Sequence, residues 1–304
     1  MNSAASGIGR RRFAAPNLAA PYLAALGAIL CWASLAAAVG RSLERVAPEL
    51  ILFYGLLTAG LALGLRGLVR QRRLPAWPGW RAAGLGLFGI WGYHQLLISA
   101  FALAPDVEAN ILNYTWPLWI VVLGSWLPGQ RRSRWAIPAA GLGFAGAAWV
   151  VGGGAAGFAE APYDAAALSG FALALGAGFC WGAFTVLLRR WVPPHQENMA
   201  LYCLLAAALA GVVVLARGIP PALPLADLAI PVYVGLVPLG LAFALWERAA
   251  QGCNLQALGL LSFLTPPLSV ALQALVNGVP LGLHHVAGLA LILTGAFWGS
   301  RSSR

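Results

Sequence analysis

Asn110, Asn113, Tyr114 and Pro117 recur at i, i+3, i+4 and i+7 within the apolar run 107–126, a spacing that places them on one face of a helix. Hydrocarbon satisfies neither a carboxamide nor a phenol, so this face must meet protein, a water-filled cavity or a ligand. Proline at 117 removes a backbone donor and leaves the Asn113 carbonyl without its helical partner. A second polar group, Tyr93, His94 and Gln95, falls mid-way along the preceding apolar run, and Trp32 and Trp181 fall within about a turn of the middle of theirs. Together these side chains offer amide, imidazole and phenol hydrogen bonds beside aromatic surface. No aspartate, glutamate or arginine lies at that depth, so a net-charged solute would lose its hydration without gaining a partner. The chemistry suits a small neutral or zwitterionic amphipathic solute. His94 also reads as a neutral imidazole bonded to a neighbouring helix, or as a proton switch, and Asn113 and Tyr114 as polar glue between helices; these alternatives stay open at this point.

Other chemistries lack their residues. Paired midplane aspartates, a His-Glu-x-x-His run or a serine with a basic partner in reach are all missing, so the sequence predicts no catalytic residues. Cys31, Cys180, Cys203 and Cys253 sit inside or at the ends of apolar runs without ligand spacing and read as small buried hydrophobes, with no metal and no cofactor expected. The formal charge of +10 would suit nucleic acid if it were gathered on a soluble module. The 19 basic residues, all arginine, instead cluster in short gaps between apolar runs, which predicts no nucleic-acid partner.

The elements that must position the polar groups follow from hydropathy. With 60% hydrophobic and 9% charged residues over 304 positions, the chain has too little polar surface to coat a soluble globule. Runs near the roughly 20 residues needed to span a bilayer fall at 20–39, 49–67, 82–104, 107–126, 136–153, 166–188, 197–216, 228–248, 254–276 and 282–299. Arg10, Arg11 and Arg12 before the first run resemble a secretory signal, but the run is too long for one and is read as an uncleaved helix. In this ten-helix frame only Arg41, Arg45 and Arg217 fall on one side, with the other 16 arginines opposite, which predicts cytoplasmic termini. Trp77, Trp80, Trp126, Trp135, Trp191 and Trp298 fall near span ends and read as interfacial anchors. The basic loops predict contact with anionic membrane lipids, and no obligate protein partner is evident.

An internal repeat organises the frame. Leu26-Gly27-Ala28-Ile29-Leu30-Cys31-Trp32 returns as Leu175-Gly176-Ala177-Gly178-Phe179-Cys180-Trp181, an offset of 149 that also pairs Asn113 with Ser262, Tyr114 with Phe263 and Pro117 with Pro266. Five helices is an odd number, so the second copy must enter the membrane from the opposite side. The predicted fold class is an all-α integral membrane protein of ten transmembrane helices in two inverted five-helix repeats, with both termini cytoplasmic. Its parts are an N-terminal segment 1–19, a first repeat 20–153, an extracytoplasmic linker 154–165, a second repeat 166–299 and a tail 300–304. Inverted repeats place a substrate site at their interface near the midplane. That predicts substrate contacts at Trp32, Tyr93, His94, Gln95, Asn110, Asn113, Tyr114, Trp181, Ser262 and Phe263. Pro117, Pro238, Pro266 and Pro267 are predicted to break or gate helices, freeing carbonyls for a substrate ammonium.

The duplicated ten-helix plan, the Cys-Trp pair early in each half, and the closing pattern from Pro266 through Gly288 to Gly295 resemble the drug/metabolite transporter superfamily, in its EamA-type branch. The run Asn113-Tyr114-Thr115-Trp116-Pro117 is similar to the corresponding helix of that family's aromatic amino acid exporters. The chain departs from the family where a Gly-Glu pair often leads into the last helix of each half: here stand Gly129-Gln130 and Gly278-Val279. The resemblance implies export of aromatic and other neutral amino acids across the bacterial inner membrane by alternating access. Another small neutral amphipathic metabolite or drug is the alternative cargo. With no midplane carboxylate as a relay, the expected transport is weakly coupled or uncoupled.

Overall fold

The computed structural model describes residues 19–39, 45–72, 77–130, 133–152, 163–193, 198–278 and 280–301. The predicted N-terminal segment, most of the 154–165 linker, the tail beyond 301 and Val279 lie outside the described residues. Every described element is a helix. The first half runs α1 (Ala19–Val39), α2 (Pro48–Gln71), α3 (Trp80–Gly86), a π-helical turn π1 (Leu87–Gly92), α4 (Tyr93–Leu103), α5 (Asp106–Asn113), α6 (Trp116–Gly124) and α7 (Ala136–Val151). The second half runs α8 (Ala165–Trp191), α9 (Met199–Ala216), a short 3-10 turn (Leu225–Asp227), α10 (Ala229–Val234), π2 (Gly235–Leu241), α11 (Ala242–Gly252), α12 (Leu255–Ser262), α13 (Thr265–Asn277) and α14 (Leu283–Arg301).

Local signals set these boundaries. Pro48 opens α2 where its missing N–H is no loss, and Glu49 lies in the first turn, facing the positive end of the helix dipole. Asp164 caps α8 by accepting from the Ala167 amide at 2.7 Å, and Asn254 caps α12 by accepting from Ala257 at 3.0 Å, satisfying amides the helix cannot. Six helical stretches are long and apolar enough to cross a bilayer: 48–70, 80–103, 165–191, 199–216, 225–252 and 255–277. Shorter apolar helices cover 19–35, 136–151 and 283–299.

The repeat extends to irregularities that composition does not reveal. π1 and π2 begin 148 residues apart, and both α5–α6 and α12–α13 break at positions 149 apart, Tyr114-Thr115 and Phe263-Leu264. At the two breaks the Thr115 and Thr265 hydroxyls donate to the carbonyls of Leu112 (2.7 Å) and Ser262 (2.8 Å), each three residues earlier. The halves interlock through matched pairs. The α3–π1–α4 rod lies against α8 and α9, while the α10–π2–α11 rod lies against α1 and α2. α2 meets α9, α7 meets α14, and α6 meets α12. Glycine permits the crossings at the π turns: a Cβ on Gly89 would fall within the ring of Phe184, and one on Gly235 would lie 2.5 Å from the Gly55 carbonyl.

The prolines stand beside the interruptions in particular ways. Pro117 lies within the first two positions of α6 and Pro266 within those of α13, where proline's fixed φ is favourable. Pro267 follows in the same first turn. They begin helices rather than kink them, and the break lies just before. Pro238 alone is interior, inside π2.

Two of the three arginines predicted on the sparse side are matched by carboxylates: Arg217 bonds Glu49 at 2.5 Å, and Arg45 lies 3.7 Å from Asp227. At the opposite end Trp77, Trp80, Trp126, Trp191 and Trp298 are exposed. There Arg81 lies 5.1 Å over the ring of Trp191 and Arg134 lies 5.2 Å over that of Trp135, contacts that join an aromatic belt to a cationic rim.

Candidate functional site

An aromatic cluster occupies the interface between the halves. Trp32 of α1 lies 5.5 Å from Trp181 of α8, 6.1 Å from Trp116 of α6 and 5.0 Å from Trp246 of α11, between ring centroids. Trp181 also meets Tyr93 at 5.3 Å, and Phe184 and Phe243 at 5.4 Å each. Most contacts are edge-on or tilted, the geometries that ring quadrupoles favour. Trp116, Trp181, Phe184, Phe243 and Trp246 are buried, whereas Trp32, Tyr93, His94, Gln95 and Tyr114 keep partial exposure. The buried rings thus form a floor, and partly exposed polar side chains border it.

Two indoles of the cluster are tied by hydrogen bonds. Trp32 Nε1 donates to the Pro238 carbonyl at 2.9 Å, tying α1 to π2, and Trp246 Nε1 donates to Thr185 Oγ1 at 3.0 Å. The border is different. His94 Nδ1 bonds the Ile90 carbonyl of its own rod at 2.6 Å; a carbonyl only accepts, so in the neutral ring the proton resides on Nδ1 and Nε2 is an acceptor. Asn113 Nδ2 donates to Tyr93 Oη at 3.4 Å, while Asn113 Oδ1 is buried without any partner. An orphaned acceptor at 5% exposure is a rarity in folded proteins and marks a place where a donor is missing. Tyr114 follows Asn113 at the break and is half-buried. The site so far offers two acceptors, Asn113 Oδ1 and His94 Nε2, two phenols and a ring surface.

The chain break supports this border. A Cβ on Gly178 would sit 2.6 Å from Thr115 Oγ1 and 2.9 Å from the Asn113 carbonyl oxygen, so α8 accepts the break only because that position is bare. The carbonyl that Pro117 leaves without a helical partner therefore abuts Gly178. Asn110 lies half-buried one turn earlier in α5, its carbonyl accepting from the Tyr114 amide at 3.0 Å.

Trp32, Tyr93, His94, Asn113 and Trp181 are brought together, with Gln95 and Tyr114 half-buried on the same segments. Ser262 and Phe263 are placed elsewhere. Ser262 donates to Leu258 within its own helix at 2.7 Å. Phe263 is fully buried among Val121, Ala139, Ala140, Leu260 and Ile292, against Gly143 of α7. Phe243 and Trp246 are additions from the structure; their i, i+3 spacing on a helix otherwise ending in polar residues was the available signal. Glu247 is buried and accepts from the Asn198 amide at the start of α9 (3.4 Å), while Arg248 is exposed. Trp119 turns away to pack on Phe179.

One end of the site is shut by bonds between the halves. α6 packs on α12 with Gly124 against Leu255 and Gly259 against Val121. Gln256 donates to Ser125 Oγ (2.9 Å) and accepts from the Ser133 amide (3.0 Å), and Gln130 accepts from the Leu255 amide (3.1 Å). Gln130, which stands where the resemblance leads one to expect glutamate, thus holds the first turn of α12. Arg189 donates to the carbonyls of Gln251 (2.5 Å) and Cys253 (3.0 Å) at the C-terminal end of α11, a favoured place for a cation. At the opposite end, among the described residues, no comparable packing joins α5 to α13.

Comparison with known proteins agrees with this architecture. The model of the EamA-like transporter family matches twice, over residues 19–152 and 168–300. The aromatic amino acid exporter YddG of Ancylobacter novellus is 34% identical over 277 residues, spanning 88% of this chain and 93% of that one. YddG of Escherichia coli K12 is 25% identical, spanning 90% and 94%, and the uncharacterized protein PA1977 of Pseudomonas aeruginosa is 27% identical, spanning 88% and 92%. A solved crystal structure superposes with a TM-score of 0.83 at 30% identity, covering 93% of this chain and 97% of that one.

Proposed function

The chain belongs to the EamA-like transporter family, as a multi-pass membrane protein, and on that premise we propose that it exports aromatic and other neutral amino acids across a bacterial inner membrane. The carrying observation is the unpartnered Asn113 Oδ1 beside the Trp32–Trp181 cluster. Asn113 Oδ1 and His94 Nε2 receive the ammonium, the Tyr93 and Tyr114 phenols donate to the carboxylate, and the apolar side chain lies on the rings. A zwitterion fits because its two charges are met by neutral dipoles, and nothing compensates a side-chain charge. Gln95 and Asn110 extend the polar border on the same elements.

In this reading ten helices cross the membrane as two inverted repeats, and the arginine-rich end faces the cytoplasm. The interlocked contacts between halves, the duplicated breaks, and the carboxylates beside the minority arginines support it. The α6–α12 closure and the lack of a matching α5–α13 closure describe a state shut towards the cytoplasm. Transport alternates between this state and one in which the other pair closes. No carboxylate stands on the polar border among the described residues, and His94 is its one imidazole, so flux runs down the substrate gradient with little or no proton coupling.

Counterflow tests the reading. Proteoliposomes loaded with unlabelled tryptophan, phenylalanine, methionine, threonine, glutamate or lysine take up labelled phenylalanine, with Tyr114→Ala and His94→Ala alongside. Uptake driven by the neutral amino acids alone and lost in the variants is expected. Absence of counterflow with every amino acid would move the cargo to another small amphipathic metabolite or drug.

A further inference from the structure

The broken spans of the two halves match residue for residue. α5 (Asp106–Asn113) and α12 (Leu255–Ser262) are equally long and start 149 positions apart, and α6 and α13 start at the same offset. Exchanging the halves therefore turns the α6–α12 closure into the contact that α5 and α13 make when the opposite end closes. In the existing closure Gly259 is necessarily bare: a Cβ there would lie 2.8 Å from the Pro117 carbonyl oxygen and 2.7 Å from Val121 Cγ2. The offset of 149 puts Asn110 in place of Gly259, Pro266 in place of Pro117 and Val270 in place of Val121. Asn110 has the Cβ that this approach forbids, and a carboxamide beyond it. We propose that Asn110 is a wedge that obstructs the α5–α13 closure and so holds the resting protein open at that end, an inference that rests on the alternation between two closures proposed above.

Neighbouring positions repeat the asymmetry. Gly124, where a Cβ would meet Leu255 Cβ at 2.8 Å, corresponds to Gln273, and Leu255 corresponds to Asp106. The side-chain hydrogen bonds of the closed end cannot be rebuilt at the other: Gln256 and Ser125 correspond to Val107 and Ala274, and Gln130 to Val279. Burial follows the same division. Val121, Gly124, Leu255 and Gly259 are buried, whereas Asn110, Val270 and Gln273 are partly exposed and Asp106 is exposed. A backbone carbonyl cannot yield as the tip of a side chain can, so the Pro266 carbonyl is the hard stop for the Asn110 Cβ. Removing only the carboxamide leaves that stop in place, and removing the Cβ as well lifts it.

Thiol chemistry on the full chain in nanodiscs, without substrate and read by peptide mass spectrometry, tests this. A cysteine introduced at Val121 is covered by the α6–α12 contact and labels when that end opens. Cysteines introduced together at Val107 and Ala274 join under copper phenanthroline when the other end closes. Asn110→Gly should speed labelling at Val121 by at least about fivefold, and Asn110→Ala by less than about twofold. Residues 110 and 121 stand roughly 16 Å apart at about 1.5 Å per residue, so local loosening at the substituted position does not reach the reporter. Gly259→Ala obstructs the existing closure and should speed joining of the Val107 and Ala274 positions by at least about fivefold, which tests the alternation with Asn110 in place. Faster joining in Gly259→Ala with unchanged labelling in Asn110→Gly would overturn the wedge and leave the alternation standing, whereas no response in either variant would remove both. Equal effects of Asn110→Ala and Asn110→Gly would also overturn the wedge, because the carboxamide and not the Cβ would then set the balance.

Discussion

Replacing Asn113 with leucine should move stability and substrate affinity in opposite directions. In the empty site Oδ1 is buried without a partner, and an unsatisfied buried acceptor costs about 1–3 kcal/mol. The 3.4 Å bond from Nδ2 to Tyr93 is long and returns about 0.5 kcal/mol at most. Leucine has the same number and branching of side-chain heavy atoms and no unsatisfied atom, so the unliganded protein should gain about 0.5–2.5 kcal/mol. A carboxamide oxygen facing an ammonium is worth about 1.5–3 kcal/mol, so affinity for phenylalanine should fall roughly 10- to 150-fold. Thermal unfolding in detergent reads the first quantity and concentration-dependent counterflow reads the second. A variant that unfolds at lower temperature while keeping wild-type affinity would refute the assignment, because Asn113 would then be structural glue and its orphaned oxygen incidental.

Other substitutions test the remaining parts. Gly89→Ala drives a methyl into the buried Phe184 ring, and Gly235→Ala drives one against the Gly55 carbonyl; each should lower stability by about 1–3 kcal/mol, read as a drop in the unfolding midpoint. Gln256→Ala removes bonds to Ser125 and Ser133 and should cost about 1–3 kcal/mol of the closed arrangement at that end, seen as increased labelling of a cysteine introduced at Val121, in the α6–α12 contact, by a membrane-impermeant reagent applied from the cytoplasmic side. An imposed pH gradient should drive no uphill accumulation of substrate; uphill uptake abolished by His94→Gln would show that the imidazole couples protons to transport.

The sequence made the α5–α6 break legible because Asn113, Tyr114 and Pro117 interrupt an apolar run with groups that hydrocarbon cannot satisfy. The repeat placed the second break, though it misled about side chains. Phe263 occupies the position matching Tyr114, yet it fills a gap against Gly143 rather than bordering the ring cluster. Offset alone ties backbone to backbone, and the environment of a side chain depends on partners that the two halves do not share. Prolines signalled a break but not its side: Pro117 and Pro266 tolerate the first turn of a helix better than its middle. The π turns had no periodic signature, because residues such as Leu87–Gly92 are as apolar in a π turn as in an α-helix. Trp246 adjoins Glu247 and Arg248, whose charges mark the end of a span, yet the helix turns Trp246 into the ring cluster and Arg248 to the outside.

Each π turn holds extra chain relative to an α-helix, and that surplus acts as a change of phase between the two ends of its rod. In an α-helix successive residues are about 100° apart. If Leu87–Gly92 wound as plain α-helix with no residue removed, everything after it would turn by about that angle. Tyr93 and His94 would swing off the ring floor, while Gly86 and the start of the rod kept their seat against Tyr202. The same rewinding of Gly235–Leu241 would carry Phe243 and Trp246 away from Trp32. The aim of the site is therefore set by how two short turns are wound as much as by the identity of the side chains they aim.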